Sequence, residues 1–247
     1  MAVAPGSLAR AAGPAKPPAK SDPAPLAVVE KGERLIKALS TKNRAPKLLE
    51  GAELVFPDFP KDFDWKEYAR VRDAIKDLDA NSEEVWPSIV EHMTDTDYCF
   101  TARFIDSAQN YSRGDVCIVI ARDWIIRGYS CLMPGGDGQQ FRLPVEGSKA
   151  LQEWCQARRN KTFVDIQVEA AEWAISTIRK EHRPPQALLE RSIARIEERI
   201  AKLREANKPL RAKFFEHGNM GWYVEEEAAQ LRKWGGAKEV EKGRFER

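Results

Sequence analysis

The chain has 247 residues, 43% hydrophobic and 32% charged, which suits one large domain, or one domain plus an appendage, with a well-solvated surface. Its 40 basic and 38 acidic residues leave a net charge of +2, which argues against a protein that wraps nucleic acid, because phosphate binding needs a clustered basic field. No run of about 18 apolar residues marks a membrane span. The four cysteines, Cys99, Cys117, Cys131 and Cys155, form no CxxC pair and read as reduced core residues rather than a zinc or redox motif.

Residues 1–25 are rich in Ala, Pro and Lys and read as a disordered or polyproline-like tail. The tail lacks the apolar stretch of a signal peptide and is poor material for a targeting helix, so the expected location is cytoplasmic. Residues 26–59 read as a helix followed by a linker. Val28 or Val29, Leu35, Ile36 and Leu39 recur at helical spacing, and Pro46 and Pro57 then punctuate the connector.

Residues 60–182 are expected to form a mainly helical core. Asp64 with Glu67 is a capping-box pattern ahead of Tyr68, Val71, Ile75 and Leu78, so a helix is predicted over 64–78. A second is predicted over 82–93 from Ser82, with a restart after Trp86 at Pro87 as the alternative. Tyr98–Ile105 alternates like a strand. Val116–Ile120 is apolar and β-branched, yet Ser112 and Asp115 make a capping box, so helix is favoured over 113–127. A loop or hairpin at 130–147, helix 148–158 and helix 163–181 follow.

Residues 185–236 read as a helical arm and 237–247 as a frayed end. Helix 187–207 carries Leu189, Ile193, Ile196, Ile200 and Leu203 at alternating steps of four and three, the spacing of a coiled-coil seam. The seam can pair with another chain, or fold back on helix 163–181 as a helical hairpin. Phe214, Phe215 and Trp222 mark an aromatic surface if the arm stands away from the core, and ordinary packing if it does not. Trp222–Trp234 reads as a last amphipathic piece.

The expected fold is therefore mainly α, a helical domain with room for one small β-hairpin, a disordered N-terminal tail and a helical C-terminal arm. The expected function is a non-catalytic interaction or adaptor protein. It would meet a protein partner, or itself, through the seam of Leu189, Ile193, Ile196, Ile200 and Leu203 together with Phe214, Phe215 and Trp222. The alternative is a metal-dependent or cysteine enzyme using 91–99, where Glu91, His92, Asp95, Asp97 and Cys99 cluster. A second alternative is weak nucleic-acid binding through Arg158, Arg159 and Lys161. No cofactor is expected, since Gly135-Gly136-Asp137-Gly138 lacks the patterns of a nucleotide loop.

Overall fold

The computed structural model describes residues 25–50, 55–103, 107–127, 145, 148–180, 186–210, 221–223 and 225. Residues 1–24 of the expected 1–25 tail, nearly all of the 130–147 loop, Cys131, Phe214, Phe215 and the last residues lie outside them. The fold is mainly α. Among the described residues, seven α-helices and two small antiparallel sheets share one hydrophobic core running from Ile36 to Tyr223. None of those helices is long and apolar enough to cross a membrane.

Helix α1 (Leu26–Ala38) packs across α3 (Trp86–Glu91). Gly32 makes that approach possible, because a Cβ there would meet Ser88 Oγ at 2.1 Å. After α1 the chain forms a hairpin, β1 (Lys47–Glu50) with β2 (Val55–Asp58), inside a stretch expected to be linker. Pro57 sits in β2 opposite Leu48, a place proline tolerates in a two-stranded sheet whose strands are both edges.

Helix α2 (Trp65–Ala80) starts as predicted. Asp64 Oδ1 accepts from the backbone N–H groups of Lys66 and Glu67, and Tyr68, Val71, Ile75 and Leu78 turn inward. The expected box does not close through Glu67. Asn43 Oδ1 takes the Asp64 N–H at 2.8 Å, and Glu67 instead holds Arg70, whose guanidinium donates to the Ala38 carbonyl at the end of α1. Helix α3 starts at Trp86 with Pro87 in its first turn, the restart reading. Ser82 does not cap it, because its hydroxyl donates to Asp79 O and accepts from Trp124 Nε1 at 2.8 Å.

Strand β3 (Tyr98–Arg103) is the centre of a three-stranded sheet ordered β4-β3-β5, with β4 at Ala108–Ser112 and β5 at Gly221–Trp222. Its residues Cys99–Ala102 are buried on both faces, so the alternation seen in the sequence does not separate core from solvent there. Helix α4 (Arg113–Arg122) leaves β4 through the Ser112/Asp115 box, with both reciprocal bonds formed. Its continuation Asp123–Arg127 widens to a π-turn. Helix α5 (Ser148–Gln156) buries Leu151 and Cys155, and α6 (Phe163–Ile178) is capped by Thr162, which accepts from Asp165 N. Helix α7 (Gln186–Ala206) follows.

Candidate interaction surface

The seam on α7 folds back on its own chain. Ile196, Ile200 and Leu203 are only 0%, 5% and 4% exposed, Ile193 is half-buried, and α7 packs principally against α6. Of the two ways to cover this seam, pairing with another chain or folding back on the preceding helix, the chain takes the second. The short link through 181–185 lets α7 return antiparallel, so the seam meets α6 before any second chain. The side chain of Leu189 lies outside the described residues.

A polar clasp fixes the far end of the hairpin. Helix α7 stops at Asn207, whose φ of 45° is the left-handed turn that asparagine tolerates. Just beyond, the Leu210 N–H donates to Gln167 Oε1 at 2.8 Å. Gln167 Nε2 donates to the carbonyls of Leu210 and of Trp124 in the π-turn. A buried amide with every such bond made ties α6, the π-turn and the chain after α7 together.

On its outer side the hairpin leaves an open groove of about 330 Å³. Helix α6 lines it with Glu172, Ile175 and Arg179, and α7 with Glu197, Ile200, Ala201 and Arg204. Both helices thus repeat one pattern, acid at i, isoleucine at i+3 and arginine at i+7. Because the helices run antiparallel, the repeats interlock: Arg204 pairs with Glu172 at 2.7 Å and Arg179 with Glu197 at 3.2 Å. The four charges alternate in sign around the rim, over a floor of Ile175, Ile200 and Ala201. The charged members of this pattern flank the apolar seam, and only Ile200 belongs to both.

The 91–99 cluster is committed to the fold. His92 Nδ1 is 2.9 Å from Asp95 and its Nε2 is 3.1 Å from Glu33 of α1. Burial works against a charge on this ring, but the hydrogen bonds of Asp95 and Glu33 outweigh it and raise the pKa. Asp95 and Asp97 also receive Arg113, at 3.3 and 2.6 Å. Among the described residues no three of these side chains converge as a metal set. Cys99 is buried and pushed up to about 12 by desolvation, against the pull of Arg113 and Arg70, so its thiol is not an activated nucleophile. Cys155 is likewise pushed up to about 12 by burial, and Cys117 is raised as well.

The Arg158–Lys161 patch is engaged in the same way. Arg158 lies 3.9 Å over the Trp154 ring, and Arg158 and Lys161 share Glu169, each at 2.7 Å. Burial opposes the Glu169 charge, yet the two hydrogen bonds hold its carboxyl below the usual range.

Trp222 is in β5 rather than at the start of a helix, and it packs 4.9 Å from Phe100. It does not project from the core as an exposed anchor. The protein family models, the curated proteins and the solved structures contain nothing that matches this chain.

Proposed function

We propose that this is a cytoplasmic, non-catalytic interaction protein that self-associates weakly through the outer face of its α6–α7 hairpin. The observation that carries the reading is the alternation of Glu172, Arg179, Glu197 and Arg204 around the groove. Such a face is self-complementary. A second copy turned about a twofold axis in the plane of the hairpin sets every acidic corner over a basic one, the geometry of an isologous dimer. Ile175, Ile200 and Ala201 would line the centre of the resulting four-helix layer.

The apolar floor is small, so the association is of the transient class rather than an obligate interface. Charge would supply register and specificity more than affinity. The free, buried thiols of Cys99, Cys117 and Cys155 support a reducing compartment. The commitment of His92 and Cys99 to structural contacts supports a role without catalysis at 91–99.

Sedimentation equilibrium of the full chain tests this at about 0.1 M and 1 M salt, between which the screening length falls from about 10 to about 3 Å. A reversible dimer at low salt should weaken at high salt. Arg179→Glu with Arg204→Glu makes all four corners acidic and should leave only monomer. Adding Glu172→Arg and Glu197→Arg inverts every sign, recreates the pattern and should restore the dimer. A wild-type chain that stays monomeric throughout, or a dimer indifferent to both variants, refutes the proposal.

A further inference from the structure

A second surface, independent of the hairpin rim, lies at the edge of β3. Its acceptor is built from residues close in sequence. Phe59, Phe63, Trp65 and Tyr68 pack ring against ring, with Phe59–Phe63, Phe59–Trp65 and Phe63–Trp65 centroids 4.8–4.9 Å apart. On β3, Phe100 stacks on Tyr111 and faces Tyr68 across the ring of Trp222. Phe59, Phe63, Trp65 and Tyr68 contact one another directly, so this side of the basin is held by its own rings.

What fills it is three residues from the far end of the chain. Gly221 and Trp222 pair antiparallel with Arg103 and Ala102, so that among the described residues two of the six residues of β3 are paired on this edge. Trp222 lies against Phe100 and Tyr68, and Tyr223 is buried against Phe59 at 5.2 Å. The Tyr68 hydroxyl donates to Thr101 O at 2.6 Å and accepts from Tyr223 N at 3.3 Å, so one side chain joins the strand to the incoming backbone. Arg103 stands 6.0 Å from the Tyr223 ring, in range of a cation–π contact.

This is the chemistry of strand addition to a sheet edge: backbone pairing supplies the grip, and pockets for side chains supply the choice of sequence. We propose that the β3 edge and its aromatic basin form a peptide-binding site that the chain closes in cis with Gly221–Tyr223. The partner that fits is an extended segment carrying two successive aromatic residues, read by the wall of Phe59, Phe100 and Tyr68. Main-chain capture by the Tyr68 hydroxyl does not depend on side-chain identity, whereas the ring contacts do. The cis segment therefore acts as a built-in competitor.

A labelled peptide of residues 217–226, titrated by fluorescence anisotropy into the full-length protein, tests the site. Replacing the cis anchors, Trp222→Ala with Tyr223→Ala, should open it. If the segment fills the site nine-tenths of the time or more, the variant binds the peptide about tenfold or more tighter than wild type. Tyr68→Phe, added to the open variant, should weaken that binding. Hydrogen exchange of the unaltered protein gives a second readout, in which the 221–223 amides should exchange faster than those of the β3–β4 ladder. Three results overturn the proposal: an open variant that binds no tighter than wild type, an open variant that loses cooperative folding, or equal protection of 221–223 and the ladder. The last two would make the segment an integral part of the core.

Discussion

Ile196→Ala separates a seam that holds the fold from a seam that awaits a partner. Ile196 is fully buried in the single chain and faces α6. Removing its side chain beyond Cβ leaves a cavity between two helices, with a loss of about 2–5 kcal/mol for a buried isoleucine. Against a typical total of about 5–15 kcal/mol that loss is large. In a chain of this length it corresponds to a fall of roughly 4–20 °C in the melting temperature, at about 2–4 °C per kcal/mol. Urea unfolding followed by circular dichroism, at protein concentrations spanning two orders of magnitude, gives the measurement. The hairpin predicts a large loss that is the same at every concentration, because the contact is intramolecular. An intermolecular seam predicts a loss that depends on concentration and a lower mass in solution. If Ile196→Ala leaves stability within about 0.5 kcal/mol of wild type, the packing of α7 on α6 is wrong.

At the α1–α3 crossing, Gly32→Ala sets two effects against each other. Better helix propensity favours alanine by about 1 kcal/mol, while overpacking against Ser88 costs about 1–3 kcal/mol, so a net loss is expected in a thermal melt. Ser88→Gly in the same chain should recover the part of that loss due to the clash; a Gly32→Ala protein more stable than wild type would show the helices farther apart. His92 gives a pH dependence. Its folded pKa lies above the ordinary value of 6.5, held up by Asp95 and Glu33, with Arg113 on the far side of Asp95. The pair of contacts therefore stabilises fully below 6.5 and is lost as pH rises through the folded value. The stability difference between wild type and His92→Gln should shrink from mildly acidic to mildly alkaline pH, and a constant difference would contradict the assigned contacts.

The elements most legible in the sequence were those set by their own neighbours. Ser112 and Asp115 satisfy each other's backbone within one turn, so the box announced α4 despite the β-branched run that follows. Asp64 announced α2 for the same reason. Features decided by distant residues were not legible. Ser82 looked like a cap, but Trp124, far along the chain, takes its hydroxyl. The β1–β2 pairing joins two separate segments, and its proline reads as a break until the strand opposite is known. Periodicity at 189–203 showed that one face of α7 is covered and left open by what. Trp222 read as a helical residue because two residues of edge pairing leave no pattern in a sequence.

The interaction reading survives the closure of the seam because closure rests on buried isoleucine and leucine, whereas recognition rests on the four rim charges, with Ile200 alone serving both. Arg179–Glu197 and Arg204–Glu172 have side chains that are all more than half exposed, so each pair contributes about 0–1 kcal/mol and cannot be what holds α7 in place. Ile196, Ile200 and Leu203 do that, shielded from solvent. A rim that contributes little to the fold can change sign without unfolding the hairpin, provided both partners of each pair change together. Inverting all four corners therefore alters what the face recognises while leaving the core beneath it intact. Exposed pairs that were only structural would tolerate the inversion without consequence for either stability or mass. If they specify a second copy, the inverted protein should associate with itself and fail to associate with the wild type, because like charges then meet at every corner.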